Sequence, residues 1–283
     1  ENPSLRKAVV KLNDGFSGEG NAIFSFEKTE GRFTQDILEQ HLRLVADDMT
    51  YELFSDKMEF MGGIVEAFVD GETKTSPSVQ CRITPLRQVE VASTHDQMLG
   101  GESNQVYIGA TFPANRVYAG EIGQMGHQVS EALCREGVLG RFSVDFISVK
   151  APDGWWKHYA IEINLRKGGT THPYLMLQYL TNGFYDHHTG IYHTPNGQER
   201  HYFATDGLRS EAYKGLTPED LMDIAICNGI HYDATVQEGV AFHLLGALSQ
   251  HGKLGTVCIG ATPERAEALY RKTVEVLDRE TST

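Results

Sequence analysis

The sequence has no apolar run long enough to cross a membrane and no apolar start typical of a signal peptide. It also has no excess of basic residues, because 25 Lys and Arg stand against 38 Asp and Glu, for a formal net charge of −13. Such a chain has no broad basic face to hold nucleic acid or an anionic membrane. We therefore expect a cytoplasmic protein that binds neither nucleic acid nor a membrane.

Cysteine is scarce, and no two cysteines form a CxxC pair. The four are widely separated along the chain: Cys81, Cys134, Cys227 and Cys258. This spacing excludes the usual zinc-ribbon pattern and argues against a disulfide scaffold in a chain of this size. We expect buried, free thiols in a reducing compartment.

The chain also lacks internal repeats, low-complexity tracts and a Pro- or Ser-rich linker. Its 283 residues are 40% hydrophobic, enough to bury the core of one large or two modest domains. Predicted strands arrive in antiparallel-looking pairs with helices between them, which indicates an α+β fold. We expect helices at 34–54, 117–136, 173–180 and 263–277, a short buried strand at 63–69, and strands at 141–150 and 158–164.

Three polar side chains share one face of the predicted strand at 158–164 and its continuation. Glu162, Asn164 and Arg166 alternate with apolar residues, and residues two apart on a strand point the same way. Asp145 joins that face if the strand at 141–150 pairs with this one. Two carboxylates and an amide oxygen suit Mg²⁺, with phosphate supplying further ligands. A solvated sheet face with a surface salt bridge between Glu162 and Arg166 fits the same pattern.

A strand containing Lys11 is followed by a glycine-rich turn and a second strand. There is no GxxxxGK[ST] motif, and a strand rather than a helix follows, so this is not a P-loop. Backbone N–H groups at Gly15, Gly18 and Gly20 can close over phosphate while Lys11 adds a positive charge. A plain β-hairpin with a glycine-rich loop explains the same residues.

The segment 167–173 leads from the polar strand into a helix. The hydroxyl and N–H groups of Thr170 and Thr171 at a helix start can hold an anion such as a carboxylate. Capping of the helix by one of these threonines is the alternative, and the two roles are compatible.

Five of the twelve histidines fall within 30 residues, and they form either a transition-metal site or a set of scattered loop residues. They are His172, His187, His188, His193 and His201. No Cys partner or HExxH helix accompanies them, so we favour scattered loop residues.

In order and spacing, these motifs resemble the ATP-grasp superfamily over about residues 6–172. A strand lysine with a glycine-rich hairpin is followed by a hinge-like strand, 64–71, and then by an Asp…Glu-x-Asn-x-Arg set. The segments 77–80, 93–97, 107–114, 162–173, 239–243 and 252–255 are similar, more closely, to the pheganomycin-type peptide ligases.

The resemblance implies a set of site residues. Asp145, Glu162 and Asn164 would bind the metal. Arg166 would neutralise the negative charge on the transferred phosphoryl group during catalysis, and Arg141 and Arg82 are further candidates for this role. The remaining assignments are ATP contacts at Lys11, Ser17, Gly18, Gly20, Glu66, Ala67 and Phe68, and substrate contacts at Thr170, Thr171 and His172.

The resemblance further implies a carboxylate–amine ligase that uses ATP with Mg²⁺ or Mn²⁺ and acts on small acid, amine or peptide substrates through an acyl phosphate. A non-catalytic nucleotide-binding module that needs a further domain or partner is the alternative.

We expect a lid subdomain at 1–70 and a large subdomain at 71–283 that together sandwich ATP. Because Lys11 comes so early, we also expect that the N-terminal domain usual in the superfamily is missing. The sequence does not indicate an oligomeric state.

Overall fold

The computed structural model describes residues 5–14, 20–26, 34–46, 48–69, 71–100 and 106–282. The chain forms two compact units. Unit 1 comprises Glu1–Glu72 with Leu99–Tyr107, and unit 2 comprises Thr73–Met98 with Ile108–Thr283. Within the described ranges, no helix combines the length and apolar character needed to span a membrane.

Unit 1 contains a four-stranded antiparallel sheet and two helices. The elements in chain order are β1 (Lys7–Leu12), β2 (Asn21–Ser25), α1 (Gln35–His41), β3 (Leu42–Leu44), α2 (Tyr51–Met61) and β4 (Gly63–Ala67). The strand order is β3-β2-β1-β4, so β4 lies at one edge. Leu12, Ala22 and Phe54 form the buried centre of this unit.

The single helix expected at 34–54 is wrong. The helix stops at His41, Leu42–Leu44 pairs with β2, and Thr50 begins a new helix by accepting a hydrogen bond from the Leu53 N–H at 3.2 Å. Leu42 and Leu44 pack against the unit's core from this strand. The long-range strand pairing therefore overrides a stripe of apolar residues that has helical spacing.

Strand β4 also differs from expectation, because it is shorter and largely exposed. It ends at Ala67 rather than 69, and the side chains of Ile64 and Val65 are 55% and 67% exposed. An edge strand pairs on one side only, so part of its backbone is free of sheet hydrogen bonds.

Unit 2 contains a large, mainly antiparallel sheet with helices packed against it. Its first elements are β5 (Lys74–Thr75), β6 (Pro77–Ile83), β7 (Val89–Gly100), β8 (Val106–Phe112), α3 (Ala119–Arg135), β9 (Gly140–Lys150), β10 (Trp156–Asn164) and α4 (Thr171–Thr181). The tips of β7 and β8 belong to unit 1 in the division above. The remaining elements are β11 (Phe184–Asp186), β12 (Ile191–His193), β13 (His201–Arg209), α5 (Pro218–Cys227), β14 (Gly239–His243), α6 (Leu248–His251), β15 (Lys253–Gly260) and α7 (Pro263–Glu280).

The large sheet has the order β10-β9-β6-β7-β8-β13-β15-β14, with β5 paired to β9. Several hydrophobic clusters pack against it, and two of them involve α3 and α4. In the first, Val79, Val144 and Phe146 meet Ile122 of α3. The second is an aromatic cluster in which α4 participates through Tyr174 and Leu177; its other buried members are Phe112, Tyr185, Tyr192, Tyr202, Ala204, Val257 and Ile259.

Several predicted elements of unit 2 are confirmed. The strands at 141–150 and 158–164 pair antiparallel as β9 and β10. Helix α3 ends at Arg135, shortly before Gly137, whose φ of 91° suits glycine at a helix end. Helix α7 begins at Pro263 as expected and runs to Glu280.

All four cysteines are free, but only two are buried. Cys81 and Cys258 lie in the interior, whereas Cys134 is half-buried and Cys227 is exposed. Spacing along the chain predicted the absence of disulfides. It carried no information about burial: Cys134 and Cys227 lie near the ends of α3 and α5, where the helices are more exposed, although Cys134 still packs against the core.

Candidate active site

One face of β6, β9 and β10 carries polar residues in rows across the sheet. Ser78 pairs in register with Asp145, and Gln80 pairs with Ser143. On β10, Glu162 lies opposite Asp145, and Asn164 lies opposite Ser143. Directly paired residues share a face, so these side chains form two adjacent polar rows, called here the polar face. The intervening residues Val79, Val144 and Phe146 point into the core under α3.

Asp145 is the centre of this face. Its Oδ1 accepts a hydrogen bond from the Ser78 hydroxyl at 2.6 Å, and its Oδ2 accepts one from the Asn164 amide nitrogen at 3.0 Å. The pKa of Asp145 is raised to about 6, mainly by burial and also by the Glu162 carboxylate, while Ser78, Arg166 and Asn164 act in the opposite direction. A carboxylate destabilised by burial and by a like charge gains most from a nearby cation.

The predicted grouping of Asp145, Glu162 and Asn164 is present in the structure. Glu162 is exposed, and the amide oxygen of Asn164 is a further oxygen donor beside the two carboxylates. This donor set fits a hard divalent cation such as Mg²⁺. No salt bridge joins Glu162 to Arg166 among the described residues; the Arg166 guanidinium donates to the Lys167 carbonyl at 3.3 Å and lowers the Asp145 pKa by its charge.

Two arginines extend the polar face by a further row on β6 and β9. Arg82 and Arg141 are paired in register, and Arg82 lies 3.7 Å from Glu90 in a half-exposed ion pair. The Nη1 atom of Arg141 is buried and has no hydrogen-bond partner within the described part of the chain. Burial raises the pKa of Tyr174 on α4, and the Arg141 charge opposes that rise, so the guanidinium lies near the first turn of this helix. A buried donor of this kind is costly unless an anion accepts from it.

The threonine side chains at the start of α4 do not cap the helix. Thr170 occupies the N-cap position, yet its side chain makes no capping bond and instead accepts from the Gln80 amide at 2.8 Å. The Thr171 hydroxyl accepts from the Gly168 N–H at 3.1 Å. Capping by either threonine was therefore a wrong prediction; the Thr170 bond ties the start of α4 to the polar face.

His172, the third predicted substrate residue, lies exposed in the first turn of α4. Its ring is 4.7 Å from that of His243, measured between centroids. Across the described residues no group of three or more His, Cys, Asp or Glu is arranged to hold a metal, the five neighbouring histidines included.

Unit 1 holds the residues predicted to contact ATP. The Lys11 ammonium lies 2.7 Å from the Glu66 carboxylate across the β1–β4 pair. Glu66 and Ala67 belong to the edge strand β4, while Phe68 follows it and donates its N–H to the Lys7 carbonyl. Gly20 lies at the start of the returning strand and accepts from the Leu12 N–H at 2.9 Å. Ser17 and Gly18 lie outside the described residues.

Sequence reasoning missed Ser78 and Gln80 as site residues, although each contacts a predicted one. The signal was present, because Ser78, Gln80 and Arg82 alternate with Val79 and Cys81 on one strand. The polar residues His95 and Asp96 of β7 have internal partners. His95 is fully buried and bonded to the Tyr202 hydroxyl at 2.7 Å, and Asp96 accepts from the Tyr118 hydroxyl and the Asn115 N–H.

Solved structures share this fold at low sequence identity. Biotin carboxylase from Campylobacter jejuni matches with a TM-score of 0.58 at 12% identity, over 95% of this chain and 56% of its own. N5-carboxyaminoimidazole synthetase from Staphylococcus aureus, solved with ADP, matches with a TM-score of 0.54 at 12% identity, over 94% and 61%. The chain therefore shares the fold of these two solved structures.

The chain belongs to the IQCH-like ATP-grasp family, whose model matches residues 26–188. A second model, the PGM1 C-terminal domain, matches residues 220–273. A curated relative, the L-propargylglycine–L-glutamate ligase of Streptantibioticus cattleyicolor, is 31% identical over 272 residues. That alignment covers 95% of this chain and 53% of the relative, so the chain spans about half the relative's length. The expected ATP-grasp membership and fold are confirmed, and the relative is a carboxylate–amine ligase.

Proposed function

We propose that the protein is an ATP- and Mg²⁺-dependent carboxylate–amine ligase that forms an amide through an acyl phosphate. The observation that carries the proposal is the convergence of Asp145, Glu162 and Asn164 on one sheet face in a member of the ATP-grasp family. The similarity to L-propargylglycine–L-glutamate ligase supports amino acids as the class of both substrates.

Asp145, Glu162 and Asn164 are the residues that would hold Mg²⁺. The metal would neutralise negative charge on the phosphate oxygens, as hard divalent ions do in phosphoryl transfer. The raised pKa of Asp145 and its contact with Asn164 support this role, because a cation stabilises the ionised form of that carboxyl.

The arginines of the polar face would balance the charge that moves during the reaction. The buried Arg141 Nη1 offers an unused donor for an anionic oxygen, and Arg166 and Arg82 add charge at the rim. In unit 1, Lys11 and the hairpin around Gly20 would contact phosphate, and the backbone of Glu66, Ala67 and Phe68 would contact the adenine ring. The Lys11–Glu66 ion pair would then exchange for a Lys11–phosphate contact.

The two chemical steps need no protein nucleophile. A substrate carboxylate oxygen attacks the γ-phosphorus, and ADP leaves with the electrons of the broken phosphorus–oxygen bond. The amine nitrogen then attacks the acyl carbon, inorganic phosphate leaves, and the nitrogen loses a proton to water. The chain would contribute orientation and charge stabilisation, and Thr170, Thr171 and His172 would contact the substrate at the start of α4.

The test is to incubate the full-length protein with ATP, Mg²⁺ and mixtures of amino acids, and to measure ADP together with new amide masses. Substrate-dependent ADP release with a matching amide product is the expected outcome. If ADP release stays independent of substrate across a broad panel, the ligase proposal is wrong. ATP binding without turnover would favour the non-catalytic nucleotide-binding alternative.

A further inference from the structure

Two histidines meet at the start of α4, beyond the metal-binding residues proposed above. His172 lies in the first turn of α4, and His243 ends β14 at the far edge of the large sheet. Their ring centroids are 4.7 Å apart, with the planes inclined at 59°. Since Thr170, two residues earlier, bonds to Gln80 on β6, the start of α4 connects the polar face to this histidine pair.

The His243 ring packs closely against β15. It lies over Gly255, its register partner on β15, and a Cβ at that residue would overlap the ring atoms. Neither His172 nor His243 makes a hydrogen bond to another residue in the described ranges. Both rings therefore have unused polar atoms at a place where the chain gives them no partner.

The charge around His243 favours donors of hydrogen bonds over anions. The pKa of His243 is lowered to about 4, mainly by burial and also by the His172 ring, whereas the Asp206 carboxylate acts in the opposite direction. At neutral pH the His243 ring is uncharged and one of its nitrogens is an acceptor. Asp206 is exposed and repels a substrate carboxylate, while the polar face has arginines suited to that group.

We propose that His172, His243 and Asp206 bind the amine substrate, with the ring nitrogens accepting hydrogen bonds from its N–H groups. This inference rests on the proposed ligase function and adds a binding site for the second substrate. It places the acid substrate at the arginines of the polar face and the amine substrate on the β14 side of the α4 start.

The test separates acyl activation from amine capture in the full-length protein. Hydroxylamine at high concentration traps an acyl phosphate as a hydroxamate, and the amino acid used by the wild-type protein reports amide formation. His243→Asn should raise the KM for the amine about tenfold, the effect of losing one hydrogen bond, and leave hydroxamate formation and the KM for the acid unchanged. His251→Gln, at an exposed histidine on α6, is the matched control.

A second variant tests the position of the His243 ring without removing the ring. Gly255→Ala displaces the His243 ring and should raise the amine KM in the same direction. An unchanged amine KM in both variants overturns the inference and leaves the ligase proposal intact. Loss of hydroxamate formation together with amide formation also overturns it, since the residues would then serve the fold or the acid step. If the wild-type protein forms no ATP-dependent hydroxamate, the ligase proposal itself fails and this inference with it.

Discussion

The polar face and the aromatic cluster lie in the same unit and are joined by α4, yet they differ in how their polar groups are partnered. In the cluster, two pairs of hydroxyls bond to each other, Thr94 with Tyr185 at 2.5 Å and Thr181 with Tyr192 at 2.8 Å, although the Nδ1 atom of the buried His95 has no partner in the described residues. On the polar face, the Asp145 pKa is raised and the Arg141 Nη1 has no partner among the described residues.

This difference indicates that the cluster serves the stability of the fold and the polar face serves ligand binding. A buried polar group stabilises a fold when its partners are built in, and it costs free energy when they are not. We infer that the cluster maintains the position of α4, whereas the polar face holds groups whose partners arrive with ATP, metal and substrate. Substitutions on the polar face should then change ATP turnover, whereas substitutions in the cluster should change the free energy of unfolding.

The largest effect is expected on the polar face. Glu162→Ala should reduce metal-dependent ATP turnover by on the order of 10²- to 10³-fold, because a lost metal ligand removes several kcal/mol of charge stabilisation. The melting temperature should change little, since Glu162 is exposed. Steady-state ADP release and thermal unfolding check both parts, with Glu136→Ala on the surface as the control. Full activity in Glu162→Ala would remove this residue from the site.

In the cluster we expect the opposite result, a loss of stability without a change in nucleotide binding. Leu177→Ala should lower the free energy of unfolding by about 3 kcal/mol, because Leu177 is completely buried and its truncation leaves a cavity. Tyr179→Ala, on the same helix with its side chain 88% exposed, should cost almost nothing. Urea unfolding measures both, and nucleotide affinity measured where both variants are folded should be unchanged. Equal losses in the two variants would contradict the packing assigned to α4.

The sequence predicted that Asp145, Glu162 and Asn164 lie together because their geometry is local. Residues two apart on a strand share a face, so Glu162 and Asn164 followed from alternation alone, and Asp145 needed only one hairpin pairing. The break between α1 and α2 could not be predicted in this way, since it depends on pairing of Leu42–Leu44 with β2. The meeting of His172 with His243 depends on the order of strands across the whole sheet, which no local pattern encodes.

A substitution of Arg141 should change turnover without lowering the stability of the protein. Arg141→Gln should reduce turnover by about tenfold to thirtyfold through loss of a charge-assisted bond. The unliganded protein should be no less stable, because the variant removes a buried donor that has no partner in the described structure. Arg135→Gln, at an exposed arginine of α3, is the control. A clear loss of stability without loss of turnover would place Arg141 among the structural residues.

The last prediction concerns how stability depends on pH in the aromatic cluster. His95 is fully buried with its ring against Phe112 and Tyr202, and burial lowers its pKa to about 3. Between that pH and the ordinary histidine pKa of about 6.5, the unfolded chain binds a proton at this residue that the folded chain does not. The His95 contribution to stability is therefore complete above about pH 6.5 and is lost as the pH falls toward 3.

His95→Gln retains a polar partner for the Tyr202 hydroxyl and removes the titrating ring. Across pH 4 to 6, the free energy of unfolding of the wild-type protein should rise with pH more steeply than that of the variant, by about 1.4 kcal/mol per pH unit. Urea titrations at a series of pH values measure this difference, and His251→Gln should follow the wild-type curve. Parallel curves for wild type and His95→Gln would show that the buried ring takes up its proton without opening the cluster. The contrast drawn between the cluster and the polar face would then fail at this residue, because a titrating group inside the cluster would be free to change its charge.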